Sequence, residues 1–338
     1  MSALPAPFRG DVWLEDGDVI LVAQNVAFKV FQETLAEHSK LFSDLFSSFQ
    51  SPTSQVPVLD GCPVVELSDT VPDLTNVLQA LYIDPARYFT GTLSFCEISA
   101  MLRLGHKYGL VHIENEAVRR LRQCFPDNLE EFVCSSTISA ICYREAEDSE
   151  SNNPPPEFPN SSTTLCAKDS TAVINLARAY KLDFLLPAAF YVHAQQDSTF
   201  IIDSHVDGRS ETWKLSEEDA KTALEVREDL KFASRRIFQW LYEPPQEGCL
   251  DPESCIAARH HTLSQMWHML DQCDALLDGN RIYQESQGVL CHVCMGAVLE
   301  WHEEQRAVTW RALQMKFLQG HTNEELLLSS YMTPSSKY

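Results

Sequence analysis

FKVFQETLAEHSKLFSDLF, residues Phe28 to Phe46, can be one long amphipathic helix or two short ones broken at His38 and Ser39, and the fold turns on which. Phe31, Leu35, Phe42, Leu45 and Phe46 recur at helical spacing, so either answer presents an apolar face. Ser39 separates the two. A serine hydroxyl accepts from the unpaired backbone donors at the start of a helix, whereas in mid-helix it competes with the ladder. The stretch therefore predicts two helices joined near His38.

Upstream, DVILVAQNVAFKVF holds two β-rich runs, Val19 to Val22 and Val26 to Phe31, around the polar Gln24-Asn25, which predicts a hairpin. Downstream, residues 47–61 read as a loop rich in Ser, Pro and Gln, and CPVVELSD as a short strand with Val64, Val65 and Leu67. Leu74, Val77, Leu78, Leu81 and Tyr82 form a helical stripe opening just after Pro72. Ser94 with Glu97 makes a capping-box pattern ahead of ISAMLRLGHKYGL, and Gly109 stops that helix. One more helix follows over Ile113 to Leu121, with Arg119, Arg120 and Arg122 expected on its wet side.

From Arg144 to Lys168 the text becomes acidic, rich in Ser and Asn, and carries three consecutive prolines, which predicts a linker or mobile loop. Helical periodicity then returns in four long segments, with Ser216 and Asp219 as a cap and Thr199 to Ile202 as the one β-like interruption. The reading divides the chain into an α+β domain at residues 11–125, a helical extension at 126–143, the linker at 144–168, a helical domain at 169–322 and a tail at 323–338.

Composition bounds the function. The chain has 338 residues, 44% of them hydrophobic and 10% aromatic, enough for real cores. Net charge is −22, so the overall field repels phosphate backbones and anionic headgroups, and neither nucleic acid nor membrane is an expected partner. The 11 cysteines are odd in number and six of them are scattered, which argues against a disulfide framework and for a reducing compartment. No run approaches the roughly 20 apolar residues of a membrane span, and the start lacks a signal-like apolar core. A soluble protein of the cytoplasm or nucleus is the expectation.

The order strand, strand, helix pair, strand, then three helices resembles a BTB/POZ domain. Asp18, Phe28, Leu35, Ser39 and Phe42 sit at positions matching that family's core signature, and VVELSD, LTNVLQALY and MLRLGHKYGL match later segments. The resemblance covers about residues 11–125 and implies a short mixed sheet flanked by helices. DVWLEDGDVILVAQNVAFKVFQETLAEHSKLFSDLF is similar to BTB proteins of mushroom-forming fungi, whose C-terminal half is also helical. LARAYKLDFLLPAAFY, LCHVC, Arg306, Trp310 and LQMKF are similar to that group's tail. The chain departs from the family at Phe31 and Gln32: a buried ion pair from Asp18 to position 32 cannot form, which argues against a charged corepressor pocket. Gln32 can still donate a hydrogen bond to Asp18, and Asp18 needs such a partner if it is buried.

For chemistry, Cys291-His292-Val293-Cys294 is the most metal-like text, since two thiolates at that spacing can share a tetrahedral zinc. Completing such a site takes two ligands from Cys249, Cys255, His260 or His261. Against it, Leu290, Cys294, Ala297, Val298 and Trp301 make one helical face on which Cys294 is an ordinary buried hydrophobe. The reading favours core, and assigns no metal ligand, cofactor or catalytic residue. There is no nucleophile elbow and no phosphate-binding glycine loop. His38 and His106 are expected to be structural, and the acidic run from Ser216 to be a solvated helix face.

An interaction protein is the resulting expectation. Its N-terminal module would pair with itself or another BTB protein through Phe8, Trp13 and Leu14 together with the first helix of the pair. The alternative for these residues is that Trp13 and Leu14 cover the chain's own core. The resemblance implies either a substrate adaptor for a cullin-type ubiquitin ligase or a scaffold in transcriptional regulation without direct DNA contact. A rival of another class is a zinc-dependent enzyme in the C-terminal half.

Overall fold

In the computed structural model the Phe28 to Phe46 stretch breaks at Ser39. Residues 7–49, 56–134, 163–164, 167–196, 198–206, 212–266, 273–276 and 290–317 are described. Helix α1 (Gln32–His38) ends at Ser39, whose backbone is extended, and α2 (Lys40–Phe49) begins after it. The Ser39 hydroxyl accepts from the Phe42 N–H at 3.2 Å, as a cap should, and donates to the Tyr108 carbonyl at 2.5 Å.

The hairpin forms as read. Strands β2 (Val19–Ala23) and β3 (Val26–Val30) pair antiparallel around Gln24 and Asn25, both at positive φ, as a tight two-residue hairpin turn requires. With β1 (Phe8–Trp13), β4 (Val58–Leu59) and β5 (Cys62–Leu67) they complete a mixed five-stranded sheet of order β1-β3-β2-β5-β4. β1 runs parallel to β3, and β5 parallel to β2. The expected loop at residues 47–61 is shorter than read: α2 runs through Phe49, and Val58 and Leu59 pair with β5 across Asp60 and Gly61, both at positive φ. Between these, residues 50–55 lie outside the described residues.

Helix α3 (Val71–Leu78) starts at a Thr70 cap with Pro72 in its first turn and continues as one wider turn over Gln79–Ile83. Helices α4 (Pro85–Thr90), α5 (Phe95–Tyr108) and α6 (Val111–Cys124) follow. The Ser94–Glu97 capping box is made at both ends, and Gly109 closes α5 at a φ of 65°. Phe28, Leu35, Phe42, Leu78 and Leu102 are all buried, so sheet and helices share one core.

Two expectations need correction, and one open point is settled. Arg120 is not on the wet side of α6 but fully enclosed: its guanidinium meets Glu116 at 2.7 Å and donates to the carbonyls of Tyr88 and Gly91 at 3.0 Å. Those carbonyls end α4 and carry its negative pole, so the cation has partners there that a helical wheel does not show. Arg119, one position earlier, is exposed. Asp18, whose burial the sequence leaves open, is exposed. It still receives a hydrogen bond from Gln32, but from the backbone N–H at 2.7 Å, so it caps α1 from across the hairpin, while the Gln32 amide donates to the Asp18 carbonyl at 3.1 Å. Thr199 to Ile202 is helical.

The described residues fall into two units. The first runs to Cys124 and takes back β7 (Thr163–Thr164), which pairs parallel with β6 (Leu93–Ser94); the rest belongs to the second. Most of the expected linker, residues 144–162 and 165–166, and the tail at 323–338 lie outside the described residues, as does much of the extension at 126–143. The second unit is mostly helical: α7 (Leu129–Cys134), α8 (Ser170–Tyr180), α9 (Leu186–Ala194), α10 (Ser198–Ile202), α11 (Glu217–Ile237), α12 (Pro252–Met266) and α13 (His292–Phe317). Every residue of α9 is buried, the mark of a central helix, and α8, α11 and α13 pack around it. Phe132 of α7 stacks on Trp310 of α13 at 5.1 Å and meets Tyr191 of α9 edge-on at 5.5 Å. The Ser216 hydroxyl caps α11 by accepting from the Asp219 N–H.

Candidate functional site

Among the described residues two places are candidates for function, one in each unit. In the first unit it is the edge strand β1. Phe8 stands 73% exposed on it, its backbone held to the hairpin turn by a bond from its N–H to the Asn25 carbonyl. Trp13 is half-buried, packing against the Ile20, Ala27 and Cys62 cluster with the Arg9 guanidinium 4.8 Å over its ring. Leu14 is half-buried too, its N–H donating to the Lys29 carbonyl. The structure thus divides the three predicted interface residues: Trp13 partly covers its own core, Leu14 is half-buried beside it in the chain, and Phe8 is exposed. Leu41 of α2, 50% exposed, is an apolar surface residue that was not singled out. Its signal was present in the sequence, because it lies off the Phe42 and Phe46 stripe.

The matched-signature residues have structural jobs. Phe28, Leu35 and Phe42 fill the core, while Ser39 and Asp18 cap helices. Of the two histidines, His106 meets Glu114 at 2.9 Å, joining α5 to α6, and the His38 ring lies 4.5 Å from that of His112. Burial, then the charge of His38, holds His112 below the ordinary histidine value.

In the second unit, four cysteines converge. The Sγ atoms of Cys249, Cys255, Cys291 and Cys294 all lie within 4.8 Å of one another, and Cys249 and Cys291 are 3.7 Å apart. Two helix starts bring them together. Asp251 opens α12, its carboxylate accepting from the Ser254 N–H at 3.1 Å and its carbonyl from the Cys255 N–H at 3.0 Å; Pro252 follows as the first helical residue. Cys255 thereby sits in the first turn, fully buried, and Cys249 just before the cap. The buried Arg259 of α12 donates to the carbonyls of Trp240, Glu243 and Pro244, fastening the chain that leads into Cys249. Cys291 precedes α13 and its carbonyl accepts from the Met295 N–H at 2.9 Å, while Cys294 lies one turn in, fully buried.

Backbone donors face the sulfurs. The Cys291 N–H donates to Cys255 Sγ at 3.3 Å. The N–H groups of Cys294 and Leu250 point at Cys291 Sγ and hold that thiol down at about 6. His260 and His261, the other ligands considered from sequence, are exposed on α12 and stand outside this cluster. Cys294 is both things the sequence allowed: a buried residue on the Leu290 and Val298 face, and a thiol of the cluster.

The mixed sheet, the capped helix pair and the α5–α6 hairpin define the class of module. Residues 14–124 match the family model of the BTB/POZ domain, which supports a protein–protein interaction module in this part of the chain. A comparison with curated proteins finds no match, so the likeness to the mushroom-type group has no homologue behind it. Among the described residues no helix is long and apolar enough to cross a membrane.

Proposed function

We propose that this is a non-enzymatic interaction protein of the cytoplasm or nucleus, whose N-terminal module binds a second copy of itself along β1 while the helical unit engages a different protein. The observation that carries the first half is Phe8, a large apolar side chain exposed on an edge strand. Of the sheet's two edges, β4 has two residues and β1 has six, and short edges are how proteins keep strands from pairing outward. Pairing of β1 with its own copy would be two-fold and self-complementary. The finer role implied by the family resemblance, a substrate adaptor for a cullin-type ubiquitin ligase, divides labour in the same way, one unit for assembly and one for cargo. A net charge of −22 supports a role without direct nucleic-acid contact, whether as an adaptor or as a transcriptional scaffold. In favour of a non-enzyme, the Ser170 and His193 pair, 3.0 Å apart, is wholly enclosed where no substrate reaches it.

Sedimentation of the full chain at tens of micromolar tests the pairing, with Phe8→Asp alongside. A dimer that becomes a monomer in the variant is the expected result. A monomer in both removes self-association, and a dimer in both moves the interface away from β1.

A further inference from the structure

We propose that Cys249, Cys255, Cys291 and Cys294 bind one zinc ion in a closed four-thiolate site that pins the start of α12 to the start of α13. A Zn–S bond of about 2.3 Å sets the sulfur–sulfur edge of a tetrahedron at about 3.8 Å. The Cys249–Cys291 separation of 3.7 Å falls on that edge, and the remaining separations, none above 4.8 Å, are no more than about 1 Å longer than it. A disulfide needs its sulfurs at about 2.05 Å, far inside this spacing. A polynuclear iron–sulfur cluster would hold its outer thiolates further apart, because bridging sulfides stand between them. One soft divalent ion fits the cage, and thiolate ligands in tetrahedral array select zinc.

The protein around the cage is arranged for negative charge. Four thiols lose four protons to solvent as four sulfur–zinc bonds form, leaving the centre two units negative. Two helix N-termini, each the positive end of its helix, open onto it, and the Cys291 N–H already donates to Cys255 Sγ. With four protein ligands no coordination position is left for water or substrate, so the ion is structural, and the zinc-enzyme reading of this half loses its catalytic seat.

Metal analysis of the full chain, purified without chelator, tests this. About one zinc per chain is expected, lost in the Cys291→Ser/Cys294→Ser double variant and kept in Cys96→Ser, a cysteine of α5. Should the double variant fail to fold, thiol alkylation of the wild-type chain gives the same answer. With zinc bound, these four cysteines should resist labelling and become reactive on chelation, and cobalt(II) in place of zinc should show the visible bands of a tetrahedral thiolate site. A folded wild-type chain without zinc, one iron in its place, or alkylation of all four thiols unaffected by chelator overturns the proposal.

Discussion

Arg120 and Glu116 show what a single residue's surroundings can hide. Their positions four apart on α6 were plain in the sequence, but the carbonyls of Tyr88 and Gly91 that accept from Arg120 lie about thirty residues earlier, so its burial was not. Burial pushes the Glu116 carboxyl up, but the guanidinium groups of Arg119 and Arg120 outweigh it and leave the group below its ordinary 4.5. A carboxylate whose folded value is depressed contributes stability that is complete above the unfolded value and fades as pH falls through the folded one. Glu116→Gln should therefore destabilise the first unit at neutral pH, with the gap to wild type narrowing below about pH 4.5. Denaturant unfolding at pH 7 and pH 3 measures it, and an equal gap at both would show that the pair is not coupled to folding.

Between elements, close approach is the quantity that matters. Gly105 lets α5 lie against α6: a Cβ there would fall 2.8 Å from the Glu114 nitrogen and 3.0 Å from its Cα, and backbone cannot swing aside as a side chain can. Gly105→Ala should cost roughly 1–3 kcal/mol despite its better helix propensity. A melting temperature at or above that of wild type would show that the two helices sit further apart. Elements with local signals were legible in the sequence: the Ser39 break, the Ser94–Glu97 box, the Gln24-Asn25 turn and the Ser216 cap each depend on residues within a few positions. Thr199 to Ile202 was not, because β-branched propensity is weak and its helical surroundings overrode it. The cysteine site was half legible. Cys291 and Cys294 announce themselves as a pair, but the five residues between Cys249 and Cys255 match no short ligand spacing, and only the meeting of α12 with α13 joins the pairs.

For the whole molecule, zinc removal should act on one unit alone. Calorimetry of the full chain with and without chelator should move the helical unit's transition down and leave the other in place, since all four thiols belong to the second unit. A shift of both transitions together would tie zinc to the whole chain rather than to α12 and α13. The strand β7 bears on a different matter, the order in which the protein is made. Its two threonines pair with Leu93 and Ser94, and Thr163 is buried. Yet α7, which precedes β7 in the chain, already belongs to the second unit. Chains emerge from the ribosome N-terminus first and fold unit by unit as they do. Here the ribosome must release the opening of the second unit before it delivers the last strand of the first, so a nascent chain halted at Cys124 carries every family-matched residue and still lacks the partner that β6 is waiting for.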